Sequence, residues 1–294
     1  MAALVGNVRS WGEMIKFAHS VFALPFAALA TFLAARPQRP TWPQIGLMVV
    51  CMVAARSAAM TFNRIVDAPL DARNPRTAGR ALPRGTITPG AAWTFFVVAV
   101  VGFLLGCAGF LWLDGNPWPL RLSAPVLTLL CCYSYTKRFT RWSHVVLGLG
   151  IGCAPVAAWV AVCPATLGAP AWLLLATVTF WIGGFDLIYA CQDVEFDRAA
   201  GLHSIPAKMG IAAALWLARI FHLFTVAALV GVGLAAGLGT LYYIGVALAA
   251  ALLIVENALV SPRDLRRVNV AFFNVNGVVG LVLGVLGVLD IVLA

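Results

Sequence analysis

The sequence predicts an all-α polytopic membrane protein. The 294 residues are 62% hydrophobic and only 11% charged, whereas an ordinary soluble domain carries about 25% charged residues. A water-soluble fold of this length could not cover itself with so little polar surface. The apolar residues form long continuous runs, which excludes the alternating pattern of a transmembrane barrel and favours helices that satisfy their own backbone in lipid.

Nine segments of the chain meet the requirement of about 20 mostly apolar residues for a membrane span. Stretches rich in Pro and Gly separate them, such as residues 36–40 and 114–117. The length and late start of the first run favour a span over a cleaved signal peptide. We expect one domain, residues 1–294, with the spans around a central cavity. The predicted spans are 16–35, 43–63, 91–113, 119–136, 143–163, 169–190, 210–233, 238–260 and 270–292.

The distribution of Lys and Arg predicts the orientation of the chain. With a cytoplasmic N-terminus, fifteen of the 20 basic residues face the cytoplasm, three face outside, and Arg56 and Arg219 lie within spans. The net charge of +9 then indicates anchoring at an anionic membrane face and attraction of anionic substrates, with no nucleic-acid partner. None of the 7 cysteines forms a C-x-x-C pair, so we expect neither a disulfide framework nor a zinc site.

Two short stretches at the ends of predicted spans hold six of the 11 acidic residues, and both fall on the predicted cytoplasmic side. Carboxylates four residues apart share one helix face, about 5–6 Å from each other at Cβ. Two such pairs supply the hard oxygen ligands that Mg²⁺ prefers, and nearby cations such as Lys208 would neutralise a bound pyrophosphate. The six residues are Asp67, Asp71, Asp186, Asp193, Glu195 and Asp197.

Each acidic stretch also has an ionisable residue deeper in its span, Arg56 before the first and Asp186 before the second. Such residues are expensive in lipid and usually functional. For a single Asp-x-x-x-Asp, a solvated interfacial loop with paired charges would be the simpler interpretation. Two of them on the same predicted face favour a magnesium-pyrophosphate site.

Three motifs follow one another along the chain. They are Asn63-x-x-x-Asp67-x-x-x-Asp71 with Arg76-Thr-Ala-Gly-Arg80, Tyr133-Ser-Tyr-Thr-Lys137-Arg138, and Tyr189-x-x-x-Asp193-x-x-x-Asp197. With these motifs the sequence resembles, over nearly its whole length, the UbiA superfamily of intramembrane aromatic prenyltransferases. Many members have Asp where this chain has Arg64, which leaves the ligands of the first motif open.

The resemblance implies a reaction in which the allylic C–O bond of a polyprenyl diphosphate ionises and an electron-rich aromatic ring captures the carbocation. It implies that Asp67, Asp71, Asp193 and Asp197 bind Mg²⁺, and that Asn63 assists at the diphosphate. Lys137 with Arg73 or Arg80 would contact phosphate oxygens. Tyr133 and Asp186 would orient the acceptor or stabilise the cation, and Tyr189 would also line the substrate site.

A carboxylate on the acceptor would need a cationic partner. Arg138 is one candidate, because a guanidinium binds a carboxylate bidentately. An equally good interpretation of Arg138 is a positive-inside anchor. Arg56, within the second span, could serve the same purpose.

The function predicted is a membrane enzyme of quinone biosynthesis, in a bacterial inner membrane with a cytoplasmic active site. Its first-choice acceptor is 4-hydroxybenzoate, and a dihydroxynaphthoate of the menaquinone route is the alternative. A cation-coupled transporter is an alternative of another class. It would explain many spans and buried charges, but not two Asp-x-x-x-Asp motifs among arginines.

Three further polar residues receive structural interpretations. His144 has no metal-ligand spacing to another histidine. Asn276 is expected to form helix–helix hydrogen bonds. Glu256 is expected either to line the cavity or to pair with Arg263.

Overall fold

The structure is a computed structural model. It describes Trp11 and residues 20–294, without the side chains of residues 20–22. Within that part of the chain nearly all residues are helical and no β-strand occurs, apart from one isolated bridge between Ser261 and Asp264. The all-α prediction is confirmed. The seven cysteines, which all lie in the described part, are free thiols.

Eleven α-helices follow one another along the described chain. A π-helical turn, Val270–Val275, leads into the last of them, and 3-10 turns occur at Pro164–Thr166 and Cys191–Asp193. The helices are α1 Ser20–Ala35, α2 Trp42–Arg73, α3 Pro89–Asp114, α4 Trp118–Thr136, α5 Ser143–Val162, α6 Ala169–Ala190, α7 Val194–Ala199, α8 Ile205–Met209, α9 Ile211–Ala236, α10 Thr240–Ala258 and α11 Asn276–Leu293.

All nine predicted spans coincide with helical segments in the described residues. Seven of these segments are long and apolar enough to cross a membrane. The other two predicted spans are helical as α1 and α4 without reaching that standard, and the predicted start of the first at residue 16 lies outside the described residues. The polytopic membrane architecture is confirmed. The total of nine, the central cavity and the cytoplasmic N-terminus stay predictions.

Large apolar side chains cover the outer faces of the long helices. Leu234 is 73% exposed, Ile254 70% and Leu223 69%. Water would tolerate so extensive an apolar surface poorly, whereas lipid solvates it. The exposed surface therefore agrees with the membrane class that composition predicts.

The chain divides into two compact units. The first unit comprises Met1–Ser20 and Val49–Tyr135, and the second comprises Val21–Met48 and Thr136–Ala294. In the first unit, the Phe62 ring packs against the rings of Trp93, Phe96 and Tyr135, with centroids 5.5–6.1 Å apart. The single domain of residues 1–294 remains a prediction.

In the second unit, α6 packs most extensively against α5 and α9. Glycines on α5 permit a close approach to α6. A Cβ at Gly148 would overlap the carbonyl oxygen of Thr179, and one at Gly152 would lie 2.8 Å from the carbonyl oxygen of Leu175. Small residues at such contacts let helix backbones approach each other. His144, four residues before Gly148, and Asp186, seven residues after Thr179, thereby come together.

Asn276 joins three segments of the second unit. Its Nδ2 donates to Glu256 Oε1 (2.8 Å) and to the carbonyls of Ala271 and Phe272 in the π-helical turn, and its Oδ1 accepts from Trp181 Nε1 (2.7 Å). The predicted helix–helix bonding of Asn276 is confirmed. Glu256 is completely buried in this network, so the alternative of a pair with Arg263 is wrong.

Candidate active site

The first acidic motif lies near the C-terminal end of α2. Asp67 and Asp71 are both buried and belong to one uninterrupted helix, so they share the face that their spacing predicts. Asn63, one turn earlier, is also buried. Its Nδ2 donates to Asp67 Oδ2 at 3.1 Å and lies 3.4 Å from Ser134 Oγ on α4. The amide thus holds the first carboxylate in a fixed orientation.

Arg80 reaches back from the loop after α2 to the second carboxylate. Its Nη1 donates to Asp71 Oδ1 at 2.6 Å and to Oδ2 at 2.7 Å. The loop returns toward α2 because Thr77 Oγ1 donates to the backbone carbonyl of Asp71. Arg73, the other predicted phosphate ligand of this stretch, has an exposed side chain. The structure therefore brings Arg80 to the first motif and leaves Arg73 at the surface.

Two further arginines of α2, Arg56 and Arg64, belong to the first unit. Arg64 is buried, and the charged groups that act on it include Asp67, Asp71 and Arg80. Arg64 thus places a buried cation directly after Asn63, at the start of the first motif. Arg56 has a buried Nε, for which the described residues provide no acceptor, and Tyr133 is the polar group that acts on its charge.

The second acidic motif does not lie on one continuous helix. Helix α6 ends at Ala190, Cys191–Asp193 forms a 3-10 turn, and α7 begins at Val194. Asp193 has φ −105° and ψ 8°, in the bridge region that many active-site residues occupy. The 3-10 turn therefore ends at Asp193, and Asp197 lies in the α-helix that follows. That the two carboxylates share one face stays a prediction.

Asp197 is held by the segment that follows it. Ser204 Oγ donates to Asp197 Oδ2 at 2.6 Å and also caps α8 by accepting from the amide of Ala207. The charges of Lys137, His144 and Asp193 act on the same carboxylate. The backbone carbonyl of Lys137 accepts from the amide of His203 at 2.7 Å. Lys137 and the second acidic motif are therefore neighbours within the second unit.

Asp186 and His144 form a pair that sequence reasoning missed. His144 Nδ1 lies 2.7 Å from Asp186 Oδ2, and the side chains are 5% and 24% exposed, respectively. The spacing of His144, Gly148 and Gly152, each four residues apart, was the available signal, since it places the histidine on the face that contacts α6.

Tyr189 belongs to an aromatic cluster at the end of α6. Its ring centroid lies 4.3 Å from that of Phe272 and 6.2 Å from that of Phe273, both in the π-helical turn. A π-helical turn is a helix defect that is often found at functional sites. Here it packs the rings of Phe272 and Phe273 against Tyr189, which lies four residues before Asp193.

The remaining predicted substrate ligands, Arg138 and Lys208, have exposed side chains in the second unit. Lys208 lies in the last turn of α8. Both therefore lie at the surface of the second unit.

The described residues contain no group of three His, Cys, Asp or Glu side chains close enough to hold a metal ion. The first unit holds the pair Asp67 and Asp71, and the second unit holds the pair Asp193 and Asp197. A pair of this kind fits Mg²⁺, which is usually bound by one or two carboxylates together with water and substrate phosphates. It does not fit zinc, whose structural sites need four protein ligands.

Sequence comparison gives the same family for nearly the whole chain. The model of the UbiA prenyltransferase family matches residues 23–278. A relative from Pseudoalteromonas atlantica, named 4-hydroxybenzoate octaprenyltransferase, is 31% identical over 267 residues, which is 90% of this chain and 91% of the relative. A relative of the same name from Vibrio parahaemolyticus is 31% identical over 278 residues, 94% of this chain and 92% of the relative.

Solved structures share the fold. A UbiA homolog from Aeropyrum pernix, in its apo form, superposes with a TM-score of 0.82 at 32% identity, over 92% of this chain and 98% of that one. A UbiA homolog from Archaeoglobus fulgidus, bound to GPP and Mg²⁺, superposes with a TM-score of 0.72 at 17% identity, over 96% of this chain and 99% of that one. The protein is an integral membrane protein, and the chain belongs to the UbiA prenyltransferase family.

Proposed function

We propose that the protein transfers a polyprenyl group from a polyprenyl diphosphate to a small aromatic acid, with 4-hydroxybenzoate as the acceptor. The observation that carries this proposal is the 31% identity, over about nine-tenths of both chains, to relatives named 4-hydroxybenzoate octaprenyltransferase. The family assignment also favours an enzyme over a cation-coupled transporter. The pathway would be quinone biosynthesis in a bacterial inner membrane, with catalysis on the cytoplasmic side.

We assign Mg²⁺ binding to Asp67 and Asp71 in the first unit and to Asp193 and Asp197 in the second. The GPP- and Mg²⁺-bound homolog from Archaeoglobus fulgidus supports use of the same kind of ligands here. When bound, Mg²⁺ would neutralise the negative charge that develops on the leaving diphosphate. The reaction should require both carboxylate pairs.

The chain's own residues perform three tasks in this proposal. Asn63 and Ser204 orient one carboxylate each through the bonds at 3.1 and 2.6 Å. Arg80 and Lys137 supply positive charge for phosphate oxygens. The rings of Tyr189 and Phe272 present π faces, which attract a carbocation electrostatically.

Arg56 is the proposed partner of the acceptor's carboxylate. It is a cation within a predicted span, and its Nε is a buried donor for which the described residues hold no acceptor. A buried donor of this kind costs free energy until a partner binds. Arg138 is the second candidate, and its exposed side chain fits the positive-inside role at least as well.

The experiment supplies purified protein with Mg²⁺, a labelled polyprenyl diphosphate and one aromatic acid at a time. We expect prenylated 4-hydroxybenzoate together with released pyrophosphate. Product from a dihydroxynaphthoate but none from 4-hydroxybenzoate would instead assign the protein to menaquinone biosynthesis. If no acid yields product, the proposed reaction is wrong.

A further inference from the structure

The contact between His144 and Asp186 is the starting point. His144 is 4% exposed and lies in the first turn of α5, and Asp186 lies in the last two turns of α6. The donor–acceptor distance of 2.7 Å from Nδ1 to Oδ2 is in the range of a charge-assisted hydrogen bond. The glycine contacts of Gly148 and Gly152 fix the distance between the two helices and therefore hold the pair together.

The second imidazole nitrogen has a different environment. His144 Nε2 is buried, and no atom of the described residues forms a hydrogen bond with it. A carboxylate that accepts from Nδ1–H fixes the tautomer in which Nε2 is the proton acceptor. An acceptor that is buried without a partner costs free energy. The pair is therefore prepared for a ligand that offers a proton at Nε2.

The pair of His144 and Asp186 lies near the second acidic motif. The charge of His144 acts on Asp197, as do those of Lys137 and Asp193. Asp186 itself is not among the carboxylates assigned to Mg²⁺, which leaves its charge available to the imidazole. The histidine is thus near the motif at which the diphosphate is proposed to depart.

We propose that His144 is the general base that removes the proton from the aromatic ring during prenyl transfer. In this step Asp186 orients the imidazole and stabilises the imidazolium that forms. This inference rests on the proposed function. It assigns to this pair a role that the spacing of the histidines alone would not indicate.

The allylic C–O bond breaks, and the diphosphate leaves with the electron pair. The ring carbon forms a C–C bond to the prenyl cation and still carries its hydrogen. Nε2 of His144 takes that hydrogen as a proton, and the C–H bonding electrons restore the aromatic ring. The resulting imidazolium is stabilised by the Asp186 carboxylate, and it later returns the proton to water.

The test compares wild type with His144→Gln, which keeps an amide that can donate to Asp186 but removes the base. His203→Gln is the matched control, because His203 lies in the same unit and its described bond is through the backbone amide. Each protein is assayed with acceptor carrying hydrogen or deuterium at the ring carbon that is alkylated. Ionisation of the allylic C–O bond is measured separately by ¹⁸O exchange between bridging and non-bridging oxygens of the diphosphate.

We expect His144→Gln to slow transfer by about 10²–10⁴-fold, the contribution of a positioned general base. Transfer by this variant should show a primary deuterium kinetic isotope effect that wild type lacks. The ¹⁸O exchange within the diphosphate, which reports ionisation, should continue. His203→Gln should behave as wild type. Asp186→Asn, a second variant of nearly unchanged size, should also slow transfer and reveal the deuterium effect, so the test does not depend on one variant folding.

Three results would overturn the inference. Transfer at the wild-type rate by His144→Gln shows that another group removes the proton. Loss of ¹⁸O exchange together with transfer, in folded His144→Gln and Asp186→Asn, shows a purely structural pair. If wild type itself prenylates no aromatic acid, both the proposed function and this inference are wrong. If wild type prenylates an aromatic acid and either of the first two results is found, only the inference is wrong.

Discussion

Arg80 Nη1 donates to both carboxylate oxygens of Asp71, nine residues earlier in the chain, at 2.6 and 2.7 Å. Asp71 is buried and Arg80 is partly exposed. One member of the first carboxylate pair is thus held by a cation from the loop after α2. The arginine can orient Asp71 and also present positive charge to an anionic substrate.

Replacing Arg80 with Ala should weaken both the fold and substrate binding. Loss of a hydrogen bond to a charged group costs about 1.5–3 kcal/mol, and the carboxylate of Asp71 would remain buried without that partner. We expect a lower free energy of unfolding in mixed micelles and a raised KM for the prenyl diphosphate. Arg84→Ala, in the same loop with an exposed side chain, is the control. Equal behaviour of the two variants would argue against this role for Arg80.

Replacing Arg56 with Met should raise the KM for an aromatic acid about tenfold to a hundredfold, because one charge-assisted bond to the acceptor's carboxylate contributes about 1.5–3 kcal/mol. The KM for the prenyl diphosphate should change little. Steady-state kinetics with each substrate varied in turn make the measurement. Arg138→Met is the matched comparison, and a larger effect there would transfer the role to Arg138.

Replacing Gly148 with Ala should destabilise the second unit. The added methyl group would overlap the Thr179 carbonyl oxygen, and overpacking of this kind costs about 1–3 kcal/mol. Gly46→Ala is the control, because a Cβ at this position in α2 meets no atom within 4 Å, and Ala is favoured over Gly inside a helix by about 0.5–1 kcal/mol. The two alanine variants should therefore shift the unfolding free energy in opposite directions. A stabilising Gly148→Ala would contradict the close helix approach.

Replacing Asn276 with Leu should destabilise the protein more than the same change at Asn274. Asn276 is fully buried, and the variant would leave Trp181 Nε1 and Glu256 Oε1 without their bonds, at about 1–3 kcal/mol for each unsatisfied group. Asn274, in the π-helical turn just before α11, is exposed, where substitutions usually stay within about 0.5 kcal/mol. Thermal unfolding in detergent compares the two, and equal midpoints would show that the network contributes nothing.

The sequence was sufficient for the helical segments and for the first acidic motif. Long apolar runs determine where helices form in lipid, so the nine predicted ranges coincide with helical segments, seven of which meet the length and apolarity of a span. Asp67 and Asp71 share a helix face because their spacing is a local property of α2. Periodicity and composition act over a few turns and can be evaluated without the tertiary structure.

The sequence was insufficient where the arrangement depends on contacts between distant segments. His144 and Asp186 are 42 residues apart, and their distance depends on how Gly148 seats against α6. The helix break at Asp193 follows no Pro or Gly. The hydrogen bond from Ser204 to Asp197 accompanies this break. Ser204 lies outside the motif, so the motif alone does not predict the bond.

The dependence of prenyl transfer on both carboxylate pairs tests the central claim most directly. Transfer from a labelled polyprenyl diphosphate to 4-hydroxybenzoate is measured with Mg²⁺ for wild type, Asp67→Ala, Asp193→Ala and the control Glu195→Gln, whose residue is exposed beside the second motif. The account predicts product from wild type and Glu195→Gln, none from either alanine variant, and none from wild type after removal of the divalent metal. Folded Asp67→Ala and Asp193→Ala proteins that transfer at the wild-type rate would contradict it.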